Sequence, residues 1–157
     1  MGLKIESGKK KKPIKAVFYG PEGCGKSTIG AAMPGALMVD TEDGTGYIDC
    51  SRVTSTNWAD FSAATMELGR DQHGHKTVVF DTIDAAERML ADYVAEKHGK
   101  ESIENFGYGK GFVMVAESFN KFLKACDQIA EHANVVLICH STVKKFSPPD
   151  EADAYDR

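Results

Sequence analysis

A glycine-rich pattern near the N-terminus restricts the possible folds more than any other feature of the chain. Residues 20–27 read Gly-Pro-Glu-Gly-Cys-Gly-Lys-Ser and match the phosphate-loop motif G-x-x-x-x-G-K-[ST] at every fixed position. The apolar run 16–19 precedes the motif, and a helix-forming stretch over 26–32 follows it. Glycines permit the backbone torsions that turn successive N–H groups toward a phosphate. The sequence therefore predicts a strand, a phosphate-binding loop and a helix, in that order.

The residues of this loop have predictable roles toward a bound nucleotide. Lys26 supplies positive charge to the phosphates and is a candidate catalytic residue, while Ser27 supplies a hydroxyl ligand for Mg²⁺. We expect the Cys24 side chain to point away from the nucleotide and assign it no catalytic role. A glycine-rich turn without a ligand is the alternative interpretation. The residues predicted to contact nucleotide are Gly20, Pro21, Glu22, Gly23, Cys24, Gly25, Lys26, Ser27 and Thr28.

Length and composition indicate a single domain. A chain of 157 residues with 42% hydrophobic content suits one globular core. No apolar run is long enough to span a membrane and no secretion signal is present, so we expect a cytoplasmic protein without membrane contact. The net charge of −4 does not indicate a general nucleic-acid binder. Lysine-rich residues 1–12 form a predicted arm, either solvated or in contact with phosphates, before a domain at 13–157.

Short β-branched runs alternate with longer helical patterns after residue 13, which indicates an α/β fold with a mostly parallel sheet. Strands are predicted at 14–19, 36–40, 77–81 and 135–140. Helices are predicted at 26–32, 57–68 and 83–98, with a long helix after a glycine-rich loop at 99–111 whose aromatic residues we expect to be exposed. The tail 141–157 reads as irregular, and we expect no further strand in it.

Two carboxylates follow predicted strands at the sheet edge where open α/β folds bind their ligands. Asp81 ends an apolar strand about fifty residues beyond the phosphate loop, which is typical of a Walker-B carboxylate that holds Mg²⁺. The alternative for Asp81 is a cap on the helix beginning near Ile83. Glu42 is our candidate for the general base that activates water, and Asp40 and Asp43 are alternatives.

His140 ends the fourth predicted strand and is the third candidate catalytic residue. A polar side chain at this strand tip can contact the γ-phosphate and transmit its presence to the following loop. A hydrogen-bonded structural histidine is an equally good interpretation.

Taken together, these residues resemble the RecA-like recombinase ATPases, and within them short phage-encoded nucleotide-binding proteins of single-strand annealing and recombination. The resemblance rests on Gly20-Pro21-Glu22, on Asp40-Thr41-Glu42, and on segments 108–111 and 155–157. In this family the Asp-Thr-Glu element contains the catalytic glutamate, which favours Glu42. The γ-phosphate sensor is usually Gln in the best-known members, and His140 differs from it.

The resemblance implies a three-layer αβα P-loop fold. The fourth predicted strand is expected between the first and third, and further C-terminal strands are expected beyond Arg157, so that the chain is truncated. DNA-binding loops of the family map onto 99–111 and 141–150. The aromatic and basic residues there are Phe106, Tyr108, Lys110, Lys144 and Lys145.

The expected function is a Mg²⁺-dependent, DNA-stimulated ATPase that acts on single-stranded DNA in phage-type recombination or annealing. ATP and Mg²⁺ are the expected cofactors, and single-stranded DNA is the expected partner. We expect the full-length form to be a homo-oligomer in the cytoplasm of a bacterial host. A small-molecule P-loop kinase is an alternative. Such a kinase needs a lid with arginines over the phosphates, and the arginines of this sequence are not clustered. A nucleotide-binding assembly module that does not hydrolyse ATP is another.

Overall fold

The structure, a computed structural model, describes residues 3, 5, 7–10, 12–70 and 73–142, together with the strand pairs at 145–146 and 155–156. Its main sheet has five strands: β1 (Lys15–Gly20), β2 (Ala36–Asp40), β3 (Ser51–Thr54), β4 (Thr77–Asp81) and β5 (Asn134–His140). The longer helices are α1 (Lys26–Ala31), α2 (Trp58–Arg70), α3 (Ile83–Lys97) and α4 (Lys110–Ile129).

All neighbouring strands of this sheet are parallel, in the order β1-β5-β4-β2-β3. The fourth predicted strand is β5, and it lies between β1 and β4 as the family resemblance implies. The α/β class and the parallel sheet are therefore confirmed. Strand β3 was not predicted, because its sequence Ser-Arg-Val-Thr is mostly exposed and has no apolar run.

The central strands are buried because helices cover both faces of the sheet. All five residues of β4 are buried, as expected for a parallel strand between two helical layers. On one face, α2, α3 and α4 pack over a core in which the Phe61 ring lies 5.6 Å from Phe80 and 5.2 Å from Phe122. On the other face, Ala31 packs against a smaller core around Val79. This arrangement forms three layers, with α1 directly behind the phosphate loop.

Close packing of α1 on the sheet requires a glycine at position 30. A Cβ atom there would lie 2.9 Å from the Val79 Cγ1 atom and 3.2 Å from the Ile138 Cδ1 atom. The absence of a side chain therefore lets α1 approach β4 and β5, and this approach places the preceding loop at the sheet edge.

Residues 99–111 are more ordered than the sequence predicted. Two 3₁₀ turns, Ile103–Asn105 and Gly107–Gly109, lead directly into α4. The expectation of exposed aromatics was wrong for Phe106, which packs against the main core and lies 5.5 Å from the His98 ring. Tyr108 is fully exposed and has a positive φ of 56°.

Strand β1 forms one edge of the sheet among the residues that the structure describes. Its side chains alternate between exposed and half-buried, and Tyr19 is exposed.

The tail, which was expected to lack strands, contains a short antiparallel pair, β6 (Lys145–Phe146) and β7 (Tyr155–Asp156). None of the described helices combines the length and apolar character needed to cross a bilayer. The boundary between an N-terminal arm and the domain stays a prediction.

Candidate nucleotide site

The phosphate loop connects β1 to α1 and encloses the amine of Lys26. Gly23 and Gly25 adopt positive φ values of 74° and 87°, which side chains with a Cβ atom rarely tolerate. Lys26 is only 8% exposed. Its Nζ atom donates hydrogen bonds to the carbonyls of Gly20 at 2.9 Å and Pro21 at 2.8 Å. The loop backbone thus holds the ammonium group of Lys26 in place at the sheet edge.

A cavity of about 710 Å³ opens beside this loop, a size typical of small-ligand sites. Its lining combines the phosphate loop with the ends of β2, β4 and β5 and with the first turns of α3. The lining residues are Glu22, Gly23, Gly25, Lys26, Ser27, Thr28, Asp40, Glu42, Gly44, Ile48, Asp81, Thr82, Arg88 and His140.

Six of the nine residues predicted to contact nucleotide line this cavity, and Gly20, Pro21 and Cys24 do not. Gly20 and Pro21 instead supply the carbonyls that hold Lys26. Cys24 lines a separate depression beside Tyr19 at the β1 edge. Cys24 therefore does not line the candidate site, although its Sγ atom lies 3.8 Å from the Lys26 Nζ atom.

The register of the parallel strands brings the other predicted residues to the same cavity. Asp40 and Asp81 are register partners on β2 and β4, and Gly20 is the partner of His140 on β5. Because these positions are the last residues of their strands, their side chains and the following loops meet at the carboxyl edge of the sheet. Glu42 joins them from the loop after β2.

Asp40, which was an alternative to Glu42 as general base, organises this loop instead. Its carboxylate accepts hydrogen bonds from the backbone N–H groups of Glu42 at 3.1 Å, Gly44 at 3.2 Å and Thr45 at 2.8 Å, and from the Thr45 hydroxyl. Burial by itself would raise the pKa of Asp40, but these hydrogen bonds outweigh it and hold the pKa below its ordinary value. Asp43, the other alternative, is exposed and does not line the cavity.

The charge of Asp81 is stabilised by fewer hydrogen bonds than that of Asp40. Burial raises the pKa of Asp81 above its ordinary value, and the negative charges of Asp40 and Glu42 raise it further. A hydrogen bond from the Ser27 side chain and the nearby His140 act in the opposite direction but do not overcome the rise in pKa. Asp81 does not cap α3, because the N-cap is Thr82, whose hydroxyl accepts from the Ala85 N–H. The site thus contains a buried carboxylate that a cation would stabilise.

Glu42 is held by two side chains from the start of α3. The Thr82 hydroxyl donates to Glu42 Oε2 at 2.9 Å, and the Arg88 guanidinium donates to Oε1 at 3.0 Å. Thr41 fastens the same loop to β4, since its hydroxyl donates to the Asp81 carbonyl at 3.0 Å and accepts from the Thr82 N–H at 2.7 Å. The position of the Glu42 carboxylate is therefore defined by contacts with both β4 and α3.

His140 is oriented by an acidic residue of α3. The Asp84 carboxylate accepts a hydrogen bond from the His140 backbone N–H at 2.7 Å and lies 3.6 Å from the ring Nδ1 atom. The ring is about one-third exposed and faces the cavity. Asp84 thus links the position of this ring to the first turn of α3.

The sequence patterns do not indicate that Thr82, Asp84 and Arg88 belong to the site. All three lie at or just after the end of β4, where a helix that starts at the sheet edge directs its first turns toward the cavity. Arg88 is 46 residues from Glu42 along the chain, so no local pattern predicts their contact. In the sequence, only the position of Thr82 directly after Asp81 indicated that one of these residues could lie in the site.

The predicted DNA-contacting residues are only partly described. Tyr108 and Lys110 are exposed, whereas Phe106 is partly buried. Lys144 lies outside the described residues, and for Lys145 the structure describes the strand but not the side chain. None of the three residues with described side chains lines the cavity beside the phosphate loop.

We predict that Asp40→Asn destabilises the protein at neutral pH by about 1–3 kcal/mol, because an amide cannot accept from all the donors that face Asp40. The pKa of Asp40 is lowered on folding, so its stabilisation is present above the ordinary aspartate pKa and is lost as the pH falls through the lowered value. Urea unfolding at pH 7 and near pH 3 measures this difference, which should shrink at the lower pH. Asp43→Asn, at an exposed position, is the matched control; equal effects of the two substitutions would contradict the prediction.

Comparisons with known proteins agree with the fold. A family model described as an AAA domain matches residues 12–157. Among solved structures, a prototypical ATPase from the type III secretion system of pathogenic bacteria matches with 19% sequence identity and a TM-score of 0.51. The match covers 83% of this chain and 45% of that chain, and at this identity it supports the fold alone. A search of curated proteins found no match. Because the family model spans nearly the whole sequence, the chain belongs to the AAA domain family.

Proposed function

We propose that this domain binds ATP with Mg²⁺ at the carboxyl edge of its sheet and hydrolyses the γ-phosphate. The observation that supports the proposal most directly is the single cavity shared by the phosphate loop, Glu42, Asp81 and His140. Lys26 and the N–H groups of the glycine-rich loop bind the phosphates. Binding at this loop places the terminal phosphate among side chains that can orient and deprotonate water.

The donor set around Asp81 fits Mg²⁺. No group of three or more His, Cys, Asp and Glu residues in the described part of the chain is arranged to hold a metal ion alone. Mg²⁺ in nucleotide sites commonly uses one or two protein ligands, with phosphates and water as the others. The Ser27 hydroxyl and the Asp81 carboxylate would be these ligands, since the Ser27 side chain hydrogen-bonds to Asp81 and both residues line the cavity. Bound Mg²⁺ supplies neutralisation of phosphate charge.

Glu42 acts as the general base in this proposal. Water attacks the γ-phosphorus, a proton of that water passes to the Glu42 carboxylate, and the bond from the γ-phosphorus to the bridging oxygen breaks to leave ADP. Glu42 is 41% exposed, so solvent has access to it. His140, oriented by Asp84, lies beside β1 at the same edge and contacts the γ-phosphate.

We further propose that the nucleotide state controls binding to single-stranded DNA in phage-type recombination or annealing. The sequence resemblance supports this part of the proposal, as does the exposed pair Tyr108 and Lys110. A tyrosine face can stack on a base, and a nearby lysine can contact the phosphate backbone. In this proposal the full-length protein is a cytoplasmic homo-oligomer.

One alternative function has a specific observation in its favour. Both oxygens of Glu42 already accept hydrogen bonds, from Thr82 and Arg88, and these donors compete with a water molecule for the carboxylate. A nucleotide-binding assembly module that does not hydrolyse ATP would have this property. Such a module would bind ATP without turnover, even with DNA and Mg²⁺ present.

Two substitutions separate binding from hydrolysis. We predict that Lys26→Ala weakens ATP binding by at least about 10-fold, because it removes the charge that faces the phosphates. Glu42→Gln should retain binding and lower turnover by about 100-fold or more, because the general base is lost. Equilibrium binding of ATP and steady-state phosphate release measure the two effects.

Matched controls are available on exposed surfaces. Lys124→Ala and Asp43→Asn remove the same kinds of charge outside the cavity, and both should behave as wild type. Binding of ATP without phosphate release by the wild-type protein, with Mg²⁺ and single-stranded DNA present, would favour the assembly module. Undiminished turnover in Glu42→Gln would exclude Glu42 as the base.

The DNA part of the proposal has its own test. We predict that single-stranded DNA stimulates phosphate release and that Tyr108→Ala weakens oligonucleotide binding by about 5- to 100-fold, the range expected for loss of one stacked base. Fluorescence anisotropy of a labelled oligonucleotide at one fixed salt concentration measures this affinity. Tyr47→Ala removes an equally exposed tyrosine and should have no effect. Absence of both stimulation and ATP-dependent binding would show that single-stranded DNA is not the partner.

A further inference from the structure

Arg88 lies in the cavity but has no role in the proposed reaction. It lies in the second turn of α3, and its guanidinium forms an ion pair with Glu42 Oε1 at 3.0 Å. Arg88 lines the same cavity as Lys26 and Ser27. Of the arginines that the structure describes, Arg88 alone lines this cavity. The candidate general base and an arginine are therefore paired beside the phosphate-binding loop.

The ion pair between Arg88 and Glu42 can break readily, so that Arg88 binds another anion in place of Glu42. The Arg88 side chain is 65% exposed and that of Glu42 is 41% exposed. Ion pairs with this degree of exposure contribute little net stability, because water solvates both charges well when they separate. Among the residues that the structure describes, Glu42 is the one hydrogen-bond and ion-pair partner of the Arg88 guanidinium. An anion entering the cavity can therefore compete for Arg88 at low cost.

Nucleotide phosphates are strong competitors for a guanidinium. Arginine binds phosphate oxygens through two parallel N–H groups, and the terminal phosphate of ATP has more negative charge than one carboxylate. We propose that Arg88 is a nucleotide ligand supplied by the same chain, which leaves Glu42 and binds the terminal phosphate of ATP. The inference rests on the proposed function, since it assumes that ATP binds in this cavity.

The exchange couples nucleotide binding to activation of the base. While Arg88 donates to Glu42, its guanidinium occupies the Oε1 side of the carboxylate and competes with a water molecule for that oxygen. Transfer of Arg88 to the terminal phosphate releases one of the two contacts on Glu42 and leaves the Thr82 contact to orient it. Arg88 then stabilises the negative charge that develops on the transferred phosphoryl group. ADP lacks this phosphate, so it leaves the pair between Arg88 and Glu42 in place.

A double-mutant cycle tests the exchange. Equilibrium dissociation constants for Mg²⁺-ATP and Mg²⁺-ADP are measured for the wild-type domain, Arg88→Gln, Glu42→Gln and the double variant. We expect Arg88→Gln to weaken ATP binding by about 10-fold in the wild-type background. In the Glu42→Gln background the loss should reach about 30-fold, because Arg88 no longer has to leave a carboxylate before it binds phosphate. The corresponding losses for ADP should be less than about 3-fold, which is the range of an exposed contact.

The sign of the coupling between Arg88→Gln and Glu42→Gln distinguishes exchange of Arg88 onto the phosphate from simple neutralisation of the Glu42 charge by Arg88. Repulsion between Glu42 and the phosphates is present in both Arg88 backgrounds, so the cycle cancels it. If Arg88 remained on Glu42 and only neutralised it, the effect of Arg88→Gln would disappear in the Glu42→Gln background. That result, or additive effects, or an Arg88→Gln variant that binds ATP like wild type, would overturn the inference while the proposed function stood.

Arg52→Gln provides the matched control. The Arg52 guanidinium donates to the carbonyl of Ile48, a cavity-lining residue, at 2.6 Å, but Arg52 itself does not line the cavity. Its substitution removes the same charge without removing a cavity-lining side chain and should leave ATP affinity unchanged. An equal loss in Arg52→Gln would assign the effect to overall charge and overturn the inference. No ATP binding by the wild-type domain would instead overturn the proposed function, and the inference with it.

Discussion

The arrangement of this site depends on how negative charge is compensated at the carboxyl edge of a parallel sheet. Asp40, Glu42 and Asp81 are among the carboxylates that converge there, and each of these three has a different environment. Backbone N–H groups surround Asp40, two side chains of α3 hold Glu42, and Asp81 has mainly the Ser27 hydroxyl. Asp40 thereby becomes a structural anchor, Glu42 a restrained carboxylate that we propose as the base, and Asp81 the carboxylate that we propose as a cation ligand. Similar chemical groups acquire different roles because their hydrogen-bond partners differ.

The fold produces these differences through the order of its strands. Strand β4 lies between β2 and β5, so Asp81 faces Asp40 on one side and the strand that ends at His140 on the other. Helix α3 begins immediately after β4, so its first two turns meet both the Glu42 loop and His140. A shift of β4 by one residue would invert its side chains and separate these groups. Burial of β4 on both faces opposes such a shift.

Much of this architecture could be predicted from sequence because the signals are local. The phosphate loop is a contiguous motif, and the four predicted strands are apolar runs that end in polar residues. Strand β3 lacks such a run, and Phe106 was expected to be exposed because glycines surround it, although it packs on the core. The pair between Arg88 and Glu42 was not predictable, because it joins a helix to a distant loop. Sequence indicated which residues reach the sheet edge, but not how their charges are paired.

In the proposed function, Asp81 is an under-compensated carboxylate that binds a cation together with nucleotide. Thermal unfolding of the wild-type protein and Asp81→Asn, without ligand, with ATP, and with ATP and Mg²⁺, tests it most directly. We expect Asp81→Asn to raise the melting temperature of the ligand-free protein, since it removes a charge that burial and the neighbouring Asp40 and Glu42 disfavour. The additional stabilisation that we expect Mg²⁺ to give the wild-type protein should be lost in the variant. A variant that melts lower than wild type without ligand and retains the full Mg²⁺ increment would contradict a cation-binding role for Asp81.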